Sequence, residues 1–138
     1  MKRFTAILTL CIGIGCSSTK NAAMNTFNLN GKWIPVNQMM NGTALPSEAF
    51  TGYELKLKDS TYAYTNHDKG IAKYANGKMD VYGKQGVNTG KHFTAIYKIE
   101  NGDLVICYDL SGKAYPQSFE TAGKPGLFLS VFERKNAE

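Results

Sequence analysis

Residues 93–110 read FTAIYKIENGDLVICYDL. Phe93, Ala95, Tyr97 and Ile99 alternate with Thr94, Ile96 and Lys98, the two-residue period of a strand with one apolar face. Asn101-Gly102 follows. A two-residue hairpin needs positive φ at both central positions, and Asn-Gly supplies that at little steric cost. Leu104 to Leu110 then returns as a second strand. Such a hairpin has an apolar face to bury, so the rest of the chain must supply the cover.

Working outward, the same signals repeat. Gly31 to Val36 reads as a first strand. Tyr53, Leu55 and Leu57 alternate with Glu54, Lys56 and Lys58, and Asp59-Ser60 turns the chain into Thr61–Thr65, with Tyr62 and Tyr64 on one face. Asp68-Lys69-Gly70 leads into Ile71–Tyr74, and Asn76-Gly77 marks a hairpin into Lys78–Tyr82. Gly83–Lys91 is a glycine-rich connection, Ser111–Pro125 a long one, and Leu127–Arg134 a last strand. The one helical signal is a short turn over 46–50, with Pro46 and Glu48 early in it. The pattern predicts an all-β fold: a single antiparallel up-and-down barrel of about eight strands. With almost no helix available, the sheet must cover itself. Tyr53/Leu55/Leu57, Phe93/Ala95/Tyr97/Ile99 and Leu104/Ile106/Tyr108 are expected to share the interior. An interior of that size either fills with side chains or holds one small ligand. The many aromatic rings favour a filled one.

The amino terminus, MKRFTAILTLCIGIGCSSTK, is of another kind. A basic start at Lys2 and Arg3 precedes an uncharged apolar run, Phe4–Gly15, too short to span a bilayer. Small residues then lead into Cys16. This resembles a bacterial lipoprotein signal peptide, which implies cleavage after residue 15 and acylation of Cys16; the alternative is an ordinary secretory signal. Residues 16–28 are small and polar and read as a flexible tether, which leaves 29–138 as the folded domain. Of the three cysteines, the resemblance implies that Cys11 leaves with the signal and that Cys16 would carry lipid. Cys107 then has no partner for a disulfide and reads as a packed strand thiol. The full chain carries a net charge of +5, part of it Lys2 and Arg3, and the remaining basic residues are scattered. That distribution argues against a nucleic-acid footprint.

Two features resemble the lipocalin superfamily: Gly31-Lys32-Trp33 on the first strand and Arg134 at the end of the last. In that superfamily the arginine stacks across the tryptophan and closes one barrel end, so Gly31, Trp33 and Arg134 are the implied closure residues. A longer ordered series covers Leu29 to Lys135. It runs through Asn41-Gly42, Leu45-Pro46, Lys78-Met79-Asp80, Gly86-x-x-x-Gly90, Ala95-Ile96-Tyr97, Gly102–Cys107, Pro116-x-x-Phe119 and Phe132-Glu133-Arg134. It resembles a lipocalin-like family of uncharacterised bacterial domains of the planctomycete type. Met79 and Tyr115 depart from the usual pattern. The resemblance implies a lipocalin-like barrel and carries no activity.

No catalytic constellation emerges from the residues, and no enzyme is expected. His67 and His92 lack metal-ligand spacing and read as solvated loop histidines, so neither metal nor cofactor is expected. Gly86–His92 fails as a phosphate loop on spacing and leads into a strand, so its glycines read as positions needing positive φ. Asp80, inside a strand, is expected to cap the following loop or pair with a base such as Lys91. A ligand would sit at the barrel mouth away from Trp33, under loops 40–52, 66–70 and 111–126, with Tyr62, Tyr64, Tyr97 and Tyr108 as walls. Phe50, Tyr115, Pro116 and Phe119 would form a lid or simply cover the barrel. The expected function is a lipid-anchored protein of the cell envelope, held to a membrane by Cys16, that binds a small apolar or amphipathic molecule. The alternative is a solid-core protein that meets another envelope protein through loops 83–91 and 111–126.

Overall fold

A computed structural model describes residues 27–136. The signal segment 1–15, the lipidation residue Cys16 and the tether up to residue 26 lie outside the described residues. The strands are β1 (Gly31–Met40), β2 (Thr43–Ala44), β3 (Leu55–Lys58), β4 (Thr61–Tyr64), β5 (Lys69–Ala75), β6 (Lys78–Gln85), β7 (His92–Glu100), β8 (Asp103–Asp109) and β9 (Leu127–Arg134). A 3-10 turn at Ser47–Ala49 is the one helical element among the described residues. Each strand from β3 onward pairs antiparallel with the next, β1 pairs with β3, and β9 returns to pair with β1. The result is a closed eight-strand barrel with β2 as an extra strand on β1. Closure leaves no long barrel edge unpaired.

Turn chemistry sorts the two ends. Two-residue turns join β3 to β4, β5 to β6 and β7 to β8 at the end where β1 begins. Asn76-Gly77 and Asn101-Gly102 both carry the double positive φ of a type I′ hairpin. Asn41-Gly42 does the same between β1 and β2. The long connections, 41–54, 65–68, 86–91 and 110–126, all lie at the other end. Two strands run further than the sequence pattern predicts. β1 continues to Met40 across a bulge that leaves Val36 without a register partner, directly after Pro35, which has no N–H to give the ladder. β6 continues to Gln85, into the glycine-rich segment.

The interior core comprises Leu29, Trp33, Leu55, Leu57, Tyr62, Ala72, Met79, Val81, Ala95, Leu104, Ile106 and Phe132, with Tyr64, Tyr74, Phe93, Tyr97, Ile99 and Tyr108 packed against it. A second apolar layer lies outside the barrel. Ile106 faces the interior, so its neighbours Val105 and Cys107 face outward, yet Cys107 is 0% exposed and Val105 7%. Segment 111–126 runs along this outer wall, with Phe119 against Lys98, the register partner of Val105, and Lys124 near enough to act on the Cys107 thiol. Its base is closed by the Leu110 N–H donating to the Gly126 carbonyl (2.9 Å). Along the wall, Thr94 Oγ1 donates to the Ala114 carbonyl (2.6 Å), the Tyr115 hydroxyl donates to Asp80, and Lys98 lies over the Phe119 ring. At its far end the Gly42 N–H donates to Thr121 Oγ1 (2.9 Å), so the strap is tied to the β1–β2 hairpin as well.

Candidate functional site

At the end where β1 begins, the interior is solid. Trp33 is fully buried, and its Nε1–H donates to the Leu29 carbonyl at 2.9 Å. Trp33 and Arg134 are register partners across the closing β1–β9 ladder, and the guanidinium carbon lies 4.3 Å from the indole centroid. Arg134 also donates to the carbonyls of Asn30 (3.1 Å) and Asn28 (3.4 Å). Gly31 has φ +142°, and a Cβ there would stand 3.0 Å from Arg134 Nη1, so the arginine lies over a residue without a side chain. A hydrogen-bonded guanidinium over an aromatic face gains about 0.5–2 kcal/mol.

At the opposite end the interior is open. A cavity of about 320 Å³ enters the barrel there. Its floor is Leu55, Leu57, Ala72, Met79, Val81 and Ile106, and its aromatic wall includes Tyr53, Tyr62, Tyr64, Phe93, Tyr108 and Phe128. The expectation of a filled interior therefore holds for one half of the barrel only. Tyr62, Tyr64 and Tyr108 come together in the cavity. Tyr97 does not: it sits at the solid end, edge-on to Tyr74 (5.7 Å) and hydrogen-bonded through its N–H to the Gly77 carbonyl. Period-two alternation assigns a residue to a face but not to a height along the barrel axis, and β7 carries Tyr97 toward the Asn-Gly turns.

The mouth is also built differently from the expectation. Segment 111–126 does not line the cavity, and neither do Phe50, Tyr115, Pro116 and Phe119; the long connection is the outer strap. Its place at the mouth is taken by segment 83–91, which contributes Val87 and Asn88. Gly86 makes this possible. Its φ is +87°, and a Cβ on it would come within 2.7 Å of Asp68 Cα, so only glycine lets this loop lie against the 66–68 turn. The contact brings Asn88 Nδ2 to Asp68 Oδ2 at 2.7 Å, while the Tyr62 hydroxyl donates to Asp68 Oδ1 at 3.3 Å. Asp68 is 4% exposed. The turn signal of Asp68-Lys69-Gly70 does not reveal this role.

Polarity in the cavity is concentrated here. Burial raises the pKa of Tyr62, and the Asp68 charge and hydrogen bond raise it further. Burial likewise raises Tyr64 well above its usual value, with the Tyr108 hydroxyl adding to it, and burial raises Tyr108. All three are neutral hydroxyls at physiological pH, able to donate or accept. Gln38 and Asn66 complete the polar lining.

The outer wall holds Asp80, His92 and Cys107. His92 is not a solvated loop histidine. It opens β7, stacks on Tyr82 (4.5 Å between centroids, 4° between planes) and places Nε2 2.8 Å from Asp80 Oδ1. Asp80 therefore pairs with His92 and Tyr115 rather than with Lys91. Burial works to raise the Asp80 pKa, but the hydrogen bonds from Tyr115 and His92 outweigh it and the pKa is lowered. His67 is exposed, with φ +68°. Burial pushes the Cys107 thiol up, which suits a packed residue. Among the described residues no group of three or more His, Cys, Asp or Glu is placed to hold a metal. Compared with known protein families, with characterised proteins and with solved structures, the chain finds no match.

Proposed function

We propose that this chain is a lipid-anchored, lipocalin-like protein of the bacterial cell envelope that carries a small apolar or amphipathic ligand in its barrel. The observation that carries the reading is the cavity opposite Trp33. Its volume of about 320 Å³ stands at the lower end of the ~300–1,000 Å³ usual for ligand sites. An apolar floor beneath a few converging polar groups is the usual composition of such a site. The polypeptide enters the barrel at Leu29, beside Trp33, so an anchor at Cys16 would join the solid end and leave the mouth on the far side. The Gly31–Trp33–Arg134 geometry and the closed barrel agree with the lipocalin-like resemblance. The reading as a solid-core interaction protein has less support: loop 83–91 shapes the cavity and loop 111–126 packs on the outer wall.

Native mass spectrometry of the exported protein, purified gently from its own host, tests the proposal. A reproducible added mass of roughly a few hundred daltons, lost on denaturation, is expected for a ligand that fits this volume. A clean apo mass that exposure to envelope lipid extracts leaves unchanged would overturn it.

A further inference from the structure

The cavity is asymmetric in charge. Its lining includes no lysine, arginine or histidine, and Asp68 is its one charged residue. The flanking His67 and Lys69 are exposed and do not line it. Among the described residues Asp68 takes part in no ion pair; the two hydrogen bonds to its carboxylate come from neutral groups, the Tyr62 hydroxyl and the Asn88 amide. A carboxylate offers about four acceptor positions, and a buried one without a cation lacks the partner that best offsets its lost hydration. The Asp68 charge raises the pKa of all three cavity tyrosines, so its field reaches the space a ligand would occupy. Around that space the Tyr62 and Tyr64 rings meet edge to face at 6.3 Å, and the Tyr108 and Phe128 rings stack at 5.9 Å. Aromatic walls beside a carboxylate are the surroundings that ammonium groups prefer, through cation–π attraction added to charge pairing.

We propose that the ligand carries an ammonium group, seated against Asp68 among Tyr62, Tyr64 and Tyr108, on a compact apolar body that rests on the Leu55–Ile106 floor. This inference rests on the carrier reading above and narrows it. The same carboxylate selects against anionic amphiphiles such as fatty acids, whose head group would face a like charge with no cation in between.

The test uses the full chain carrying Cys16→Ser, a substitution outside the described residues, titrated by calorimetry with octylammonium, octanol and octanoate. These probes share one tail and differ in head-group charge. Octylammonium is expected to bind at least tenfold more tightly than octanol, with octanoate weakest. Asp68→Asn should bring octylammonium down to the level of octanol. If octanol or octanoate binds as tightly as octylammonium, the ammonium preference is wrong while the carrier reading stands. If none of the three binds, both fail. The ranking with Asp68 intact decides the matter even if Asp68→Asn does not fold.

Discussion

Trp33 and Arg134 stand at opposite ends of the domain in sequence and meet because β1 closes onto β9. Trp33 is fully buried and its one polar atom is satisfied, so truncation loses apolar burial and leaves a hole. Trp33→Ala is expected to cost about 3–5 kcal/mol in urea unfolding; a loss below about 1 kcal/mol would mean that the ring fills nothing. Arg134→Ala should cost about 0.5–1 kcal/mol, since the guanidinium is exposed on its outer side. In the double variant the arginine effect should shrink, because its stacking partner is gone. This pair was visible in the sequence because a glycine, a tryptophan and a terminal arginine have few other uses at those places on a barrel. Asp68 was not visible. Its role depends on Gly86 letting a distant loop approach, and nothing local to residues 66–70 announces that contact.

At the scale of elements, tight turns are legible and long connections are not. Asn76-Gly77 and Asn101-Gly102 state their own geometry. Segment 111–126 states only that it is long and rich in turn residues, and the sequence alone placed it at the mouth. A sign of its true position lay in the neighbouring strand: Leu104-Val105-Ile106-Cys107 is apolar without a break, and a strand wetted on one face would alternate. The strap should therefore open locally without unfolding the barrel. In a Cys11→Ser/Cys16→Ser background, Cys107 is the one thiol, and maleimide labelling under native conditions reports that opening. Thr94→Val removes the bond to Ala114, worth about 0.5–1.5 kcal/mol, and should speed labelling by up to about tenfold. Asp80→Asn should act in the same direction by weakening the Tyr115 contact, and its effect on stability should depend on pH. The folded-state pKa of Asp80 lies below the ordinary 3.8, so the carboxylate contributes fully above that value. The contribution is lost as pH falls through the folded pKa, where native protein and variant should converge. Labelling as slow in both variants as in the parent would show that these bonds do not hold the strap.

For the molecule as a whole, closure by β1–β9 and the division into a solid half and an open half separate what holds the barrel from what it can hold. Trp33, Leu104 and Phe132 are fully buried in the core and none of them lines the cavity. The cavity of the second half is therefore not required for a folded barrel, and filling it should cost little. Ala72 lies on its floor at 1% exposure, on β5. Ala72→Leu would project three more carbon atoms into a space that already exists, so the overpacking cost of about 1–3 kcal/mol met in tight cores should be largely avoided. Unfolding stability is expected to stay level or to rise by about 0.5–2 kcal/mol, the usual range for cavity filling. The added mass seen in native mass spectrometry should be lost or much reduced at the same time. A protein that folds as well as its parent and no longer carries the ligand would place binding in the barrel. An added mass that persists beside unchanged stability would place it elsewhere, and loss of fold would show that the two halves are one cooperative core.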